Sequence, residues 1–209
     1  MRCLITAGPT REKIDPVRFI SNRSTGKMGY ALARAAAARQ LEVTLVSGPV
    51  ALPIPEGVSQ AISVESAQEM AEAVWRLAPE NQLIIMAAAV ADYRPKQVWT
   101  QKMKKAPGEL TLALERTPDI LLELGRKKAP GQLLVGFAAE TEELLERAEA
   151  KLARKNLDWI IANKVADGFA TDDDRVVMLG RSGERLELGP LAKTALAELI
   201  ISRLLADRR

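Results

Sequence analysis

The 209-residue chain balances 30 Lys and Arg against 27 Asp and Glu, a formal charge of +3, and 47% of it is apolar, as in an ordinary globular domain. That balance asks for no nucleic-acid-binding stripe, and no apolar run reaches the roughly twenty residues of a membrane span, so neither nucleic acid nor membrane is an expected partner. The absence of histidine excludes a Ser-His-Asp triad and histidine metal or haem ligation, and a single cysteine excludes an intramolecular disulfide. With no signal segment in view, the cytoplasm is the expected compartment. The abrupt start, Met1-Arg2 and then a strand, is what a domain taken from a longer chain would also show.

The first predicted strand is Cys3–Ala7, with Cys3 as a core filler. A predicted helix follows at Gly26–Arg39, then a strand at Val43–Ser47 and a helix at Ser66–Leu77. The strand Leu83–Ala88 leads into Tyr93–Gly108, a polar, lysine-bearing stretch with no packing pattern, read as a mobile flap. The helix Asp119–Lys127, strand Leu133–Phe137, helix Thr141–Lys155 and strand Trp159–Ala162 continue the alternation. Arg175–Leu179 and Arg185–Leu188, joined by an Arg181-Ser182-Gly183-Glu184 turn, read as a β-hairpin, and a helix runs from Leu191 to about Leu205. Near-continuous apolar strands alternating with helices predict an α/β fold. We expect a Rossmann-like, doubly wound, mostly parallel sheet with a C-terminal β-hairpin and helix, in one domain spanning 1–209. Ligands of such sheets bind at the carboxyl ends of the strands, which here are rich in small residues.

The segment Ser21-Asn22-Arg23-Ser24-Thr25-Gly26-Lys27-Met28-Gly29 has the chemistry of a phosphate cradle. Gly26 and Gly29 leave room for a phosphate, Ser24 and Thr25 can cap the helix or donate to oxygens, and Lys27 adds charge. Its spacing matches neither G-x-G-x-x-G nor G-x-x-x-x-G-K-[ST]. A plain helix start with a packing glycine explains the same residues.

Further motifs are Gly8-Pro9-Thr10, Asp15-Pro16-Val17-Arg18-Phe19-Ile20-Ser21-Asn22 and Ala88-Ala89-Val90-Ala91-Asp92-Tyr93. Lys102-Met103-Lys104-Lys105, Gly136-Phe137-Ala138-Ala139-Glu140-Thr141 and Lys155-Asn156-Leu157-Asp158 complete the set. Together, from residue 4 to residue 163, they resemble the phosphopantothenate–cysteine ligases of bacterial, CTP-dependent type. The resemblance implies joining of 4′-phosphopantothenate to L-cysteine through an acyl-cytidylate, with CTP as co-substrate, Mg²⁺ and release of pyrophosphate. It also implies a homodimer, and a fused or partner flavin-dependent phosphopantothenoylcysteine decarboxylase.

On the same basis Asn22 would contact the acyl-nucleotide, and Lys102, in the flap, would neutralise developing phosphate charge; these are the implied catalytic residues. Gly8, Ser24, Gly26, Gly29, Ala88, Asp92, Phe137, Lys151, Lys155 and Asn163 would hold the nucleotide. Arg18, Asn22, Ala88, Ala89 and Asp92 would meet phosphopantothenate, Arg18 from across a dimer interface. No protein ligand to the metal is implied. An NAD(P)-dependent oxidoreductase shares the fold class, but the glycine fingerprint is absent and Ser47-Gly48 stands where a ribose-binding acid belongs. A non-catalytic nucleotide-binding partner domain would need no lysine flap.

Overall fold

The computed structural model describes residues 1–105, 107–140, 144–164 and 173–207. The chain forms β1 (Arg2–Ala7), β2 (Arg11–Lys13), β3 (Phe19–Ser21), α1 (Lys27–Ala38), β4 (Glu42–Ser47), β5 (Gln60–Ser63), α2 (Ala67–Leu77) and β6 (Leu83–Met86). It continues with β7 (Tyr93–Pro95), β8 (Leu114–Arg116), α3 (Ile120–Lys127), β9 (Leu133–Glu140), α4 (Leu144–Arg154), β10 (Trp159–Lys164), β11 (Asp173–Gly180), β12 (Arg185–Ala192) and α5 (Lys193–Ala206). Among the described residues, eight strands make one sheet in the order β12-β11-β10-β9-β6-β1-β4-β5. The run from β10 to β5 is parallel, and β11 and β12 extend it antiparallel. Numbered along the chain, the parallel strands lie 6-5-4-1-2-3, so the order reverses between β1 and β6, where such sheets open a crevice.

Alternation within each strand builds a core on both faces. Ile5, Leu45, Ile85, Val135 and Ile161 point to one side, with Leu32 of α1 and Leu196 and Ile200 of α5. Their neighbours Leu4, Val46, Ile84, Leu134 and Ile160 point to the other, with Met70 of α2, Leu124 of α3 and Leu152 of α4. A period of two thus splits one apolar run between two cores, each buried Leu or Ile contributing about 1.5–3 kcal/mol. Cys3 lies in the first of these, fully buried, and burial pushes its thiol well above the ordinary range. The sequence reading of Cys3 as core filler holds.

Helix starts follow local chemistry. Ser66 caps α2 by accepting from the Glu69 amide at 3.2 Å, and buried Glu12 accepts from the Ala67 amide at 2.8 Å. Asp119 caps α3 by accepting from the Leu122 amide at 3.1 Å. At α1 the expected Ser or Thr cap is replaced by Gly26, in a left-handed conformation with φ 77°, and no side chain caps the helix. Ser24 Oγ instead accepts from the Gly26 amide at 3.3 Å. A Cβ on Gly29 would lie 2.5 Å from Ala7 Cβ, so packing of α1 on β1 accounts for that glycine.

Several boundaries differ from expectation. The strand predicted to reach Ala88 stops at Met86, because the next residues are captured by β1 and the loop after it. Thr6 Oγ1 accepts from the Ala88 amide at 3.1 Å, Gly8 O from Ala89 at 2.9 Å and Thr10 Oγ1 from Ala91 at 3.0 Å. The segment expected to be wholly unpacked from Tyr93 is anchored at its start, since β7 pairs with β8. Its backbone is tied again where the Trp99 amide donates to Ile14 O at 2.9 Å. The last helix begins at Lys193 rather than Leu191, because β12 runs to Ala192. The first three residues of the helix expected at Thr141–Lys155 lie outside the described residues.

Candidate active site

A cavity of about 410 Å³ opens at the end of β6 and over Phe137 of β9, walled by the start of α3 and the end of α4. Ala88, Asp92, Phe137, Lys151 and Lys155, all anticipated from sequence, line it. Four cations, Arg116, Lys151, Arg154 and Lys155, face two acids, Asp92 and Asp119, so the walls favour an anion.

The two helical lysines converge as their i,i+4 spacing requires, and the Lys155 amide still donates to Lys151 O at 3.0 Å beyond the end of α4. Lys151 Nζ donates to Phe137 O at 2.7 Å. Lys155 Nζ meets Asp119 Oδ1 at 2.8 Å, with the lysine side chain only 11% exposed. Partial burial raises the Asp119 carboxyl, but hydrogen bonds from Lys155 and the Leu122 amide, with the charges of Lys155 and Arg154, outweigh it and hold it below its ordinary value. Asp119 is therefore a charged counter-ion that keeps Lys155 extended into the cavity.

A second group surrounds the reversal point. Asn22 Nδ2 donates to Ala89 O at 2.8 Å, and Pro9 and Ala89 form a parallel bridge. The Gly26 backbone lies against Gly8, a Cβ built on Gly26 falling 3.3 Å from Gly8 Cα. Gly8, Asn22, Gly26 and Ala89 are thus neighbours, with Ser24 next to Gly26. The consecutive residues Ala88 and Ala89 join this group to the cavity.

Other anticipated residues stand apart from the cavity lining. Lys102 is exposed on the 99–105 segment. Arg18 Nη2 donates to Met103 O at 2.9 Å and its Nε lies 3.6 Å from Asp15 Oδ2, so within this chain it serves the segment that carries Lys102. Asn163, expected just past a strand end, lies inside β10 with Nδ2 at 3.3 Å and 3.4 Å from the buried Asp174 carboxylate oxygens. Ser47 is committed too, its hydroxyl donating to Gly48 O at 2.8 Å and lying 3.1 Å from the Tyr30 hydroxyl.

Sequence reading missed the cavity wall Arg116-Thr117-Pro118-Asp119 and the buried hydroxyls of Thr6 and Thr10 that shape the Ala88–Ala91 loop. Both left a signal. Thr6 is a lone hydroxyl in an apolar strand, and Pro118-Asp119 ahead of an apolar helix is a helix-start signature.

Fold and site together define a doubly wound α/β protein with an anion-accepting cleft next to the loop at its topological switch point. Residues 1–207 match the DNA/pantothenate metabolism flavoprotein C-terminal domain, and the chain belongs to that family. It is 50% identical over 206 residues to the coenzyme A biosynthesis bifunctional protein CoaBC of Bacillus subtilis, covering 97% of this chain and 50% of that one. With the CoaBC protein of Vibrio cholerae it shares 47% identity over 205 residues, 96% of this chain and 51% of the relative. The chain thus spans about half the length of the curated relatives it matches. The crystal structure of the C-terminal domain of a CoaBC protein superposes with a TM-score of 0.83 at 47% identity, covering 97% of this chain and 93% of that one.

Proposed function

We propose that the chain is a phosphopantothenate–cysteine ligase acting in coenzyme A biosynthesis. It joins 4′-phosphopantothenate to L-cysteine through an acyl-cytidylate formed from CTP with release of pyrophosphate. The observation that carries this reading is the cation-walled cavity between β6, β9, α3 and α4, joined through the consecutive residues Ala88 and Ala89 to the Asn22 loop at the switch point. Relatives named for coenzyme A biosynthesis support the same chemistry.

A carboxylate accepts an amine only after its oxygen becomes part of a leaving group. Attack on an α-phosphate asks chiefly for alignment and charge neutralisation. Lys151 and Lys155 supply fixed charge in the cavity, and Lys102 adds charge from the flap. Gly8, Ser24 and Gly26 offer a close backbone approach for phosphate, and Phe137 and Asn163 complete the nucleotide side. Asn22, with a donor and an acceptor, suits a carbonyl whose charge changes between the half-reactions. Ala88, Ala89, Asp92 and Arg18 are the phosphopantothenate contacts. Mg²⁺ would arrive on the triphosphate, and with Asp119 engaged by Lys155 no side chain of this chain is proposed as its ligand.

The test is pyrophosphate release with CTP, Mg²⁺ and 4′-phosphopantothenate, with and without cysteine, repeated with ATP. Sustained cysteine-dependent release with CTP, and a burst of no more than one equivalent without cysteine, is the expected result. No release with either nucleotide would overturn the reading.

A homodimer is part of the proposal. Val17, Phe19, Tyr93 and Leu114 are exposed apolar residues on or beside the two small sheets, β2–β3 and β7–β8, away from the main core. Phe19→Asp should convert the dimer to monomer in sedimentation at micromolar concentration; a wild-type chain that is monomeric and fully active would contradict this. The single-domain organisation over 1–209, with a flap at about 93–108, belongs to the same reading. A flavin-dependent decarboxylase, fused or separate, is the proposed consumer of the product. Among the described residues no helix is long and apolar enough to cross a membrane, and the cytoplasm is the proposed compartment.

A further inference from the structure

One buried acid lies outside the chemistry above. The Asp15 side chain has no solvent exposure, yet it lies in the turn between β2 and β3. Its Oδ1 accepts from the Val17 and Arg18 amides, both at 2.8 Å. Its Oδ2 accepts from the Met103 amide at 3.2 Å, across 88 positions of sequence. Arg18 Nη2 donates to the Met103 carbonyl at 2.9 Å, so both main-chain polar groups of Met103 are held by this one turn. Burial by itself raises the Asp15 carboxyl, but the three amides and Arg18 outweigh it and keep it charged. A buried carboxylate is costly unless so satisfied, and here one of its bonds is spent on a distant loop.

Met103 sits between Lys102 and Lys104, so whatever fixes Met103 limits where those ammonium groups can reach. The same turn runs through β3 into Asn22, whose side chain holds Ala89 O at 2.8 Å. One element therefore ties the lysine segment to the loop at the switch point. We infer that Asp15 is a positioning residue: with Arg18 it latches the 99–105 segment through Met103 and sets where Lys102 stands during phosphate displacement. This rests on the reading of Lys102 as a phosphate-contacting lysine, while the latch itself rests on geometry alone.

Asp15→Asn tests it. The amide oxygen can still accept from Val17 and Arg18, but the NH₂ group cannot accept from Met103. Losing a hydrogen bond to a charged acceptor should raise the open population about tenfold or more, and proteolysis of an opened segment follows that population. Trypsin cleavage after Lys102, Lys104 and Lys105 of the substrate-free protein should rise by about that factor, with Tm lower by only a few degrees. Should Asp15→Asn not fold, Met103→Pro removes the donated N–H instead and should raise cleavage after Lys104 and Lys105. Unchanged cleavage overturns the latch whatever the protein catalyses.

The activity arm separates positioning from structure. Asp15→Asn should lower kcat about tenfold with the KM for cysteine unchanged, and change kcat less than about twofold in a Lys102→Ala background. A loss that persists in full in that background would place the effect of Asp15 elsewhere. A wild-type chain without ligase activity would sink the functional reading and leave the cleavage result to decide the latch.

Discussion

Replacing Asn22 with Asp should lower kcat/KM about 10²- to 10³-fold while leaving Tm nearly unchanged. The side chain is exposed and its amide donates to Ala89 O at 2.8 Å, directly at the join between cavity and loop. A carboxylate cannot donate, so two anionic oxygens would face that carbonyl and stand beside an anionic substrate. Removing a fixed donor from the place where charge develops typically costs about 2.7–4 kcal/mol, the origin of the expected range. The fold should tolerate the change, because exposed substitutions usually move stability by no more than about 0.5 kcal/mol. Initial rates and a thermal melt check both halves, and a loss below tenfold would remove Asn22 from the machinery.

Lys155→Ala should weaken use of CTP by about 10- to 100-fold in kcat/KM, the worth of one charge-assisted hydrogen bond of about 1.5–3 kcal/mol. The lysine is nearly buried against the cavity wall and already ordered by Asp119, so its charge is offered at little entropic cost. Initial rates against CTP concentration measure it, and unchanged kinetics would contradict the placement of phosphate beside Lys155. The pair also has a defined pH range. Because the folded Asp119 carboxyl lies below its ordinary value, its stabilising effect is present above the unfolded value of about 3.9 and is lost as pH falls through the folded one. Above about pH 5 the Asp119 carboxylate stays charged, and nucleotide use there should not track its titration.

Much of this could be read in the chain. The strands that carry the core are continuous apolar runs such as Leu83-Ile84-Ile85-Met86, and their period of two predicts two buried faces. Lys151 of α4 and Lys155 just past its end were legible because 3.6-residue periodicity puts them on one side. The small sheets were not, because strands of three residues such as Arg11-Glu12-Lys13 and Tyr93-Arg94-Pro95 have no apolar alternation of their own. Tertiary hydrogen bonds also moved boundaries that pattern alone could not. The hydroxyls of Thr6 and Thr10 end β6 early by taking the amides of Ala88 and Ala91. Asp119, a plain helix cap in sequence, becomes the partner of Lys155 only when α3 and α4 meet.

Oxygen tracing is the most direct test of the central claim. With ¹⁸O at both oxygens of the 4′-phosphopantothenate carboxylate, attack on the α-phosphate of CTP followed by cysteine capture must leave one carboxylate oxygen on CMP. The account predicts one ¹⁸O in each CMP formed and unlabelled pyrophosphate. Label in inorganic phosphate, with CDP as the nucleotide product, would mean activation at the γ-phosphate and would contradict it.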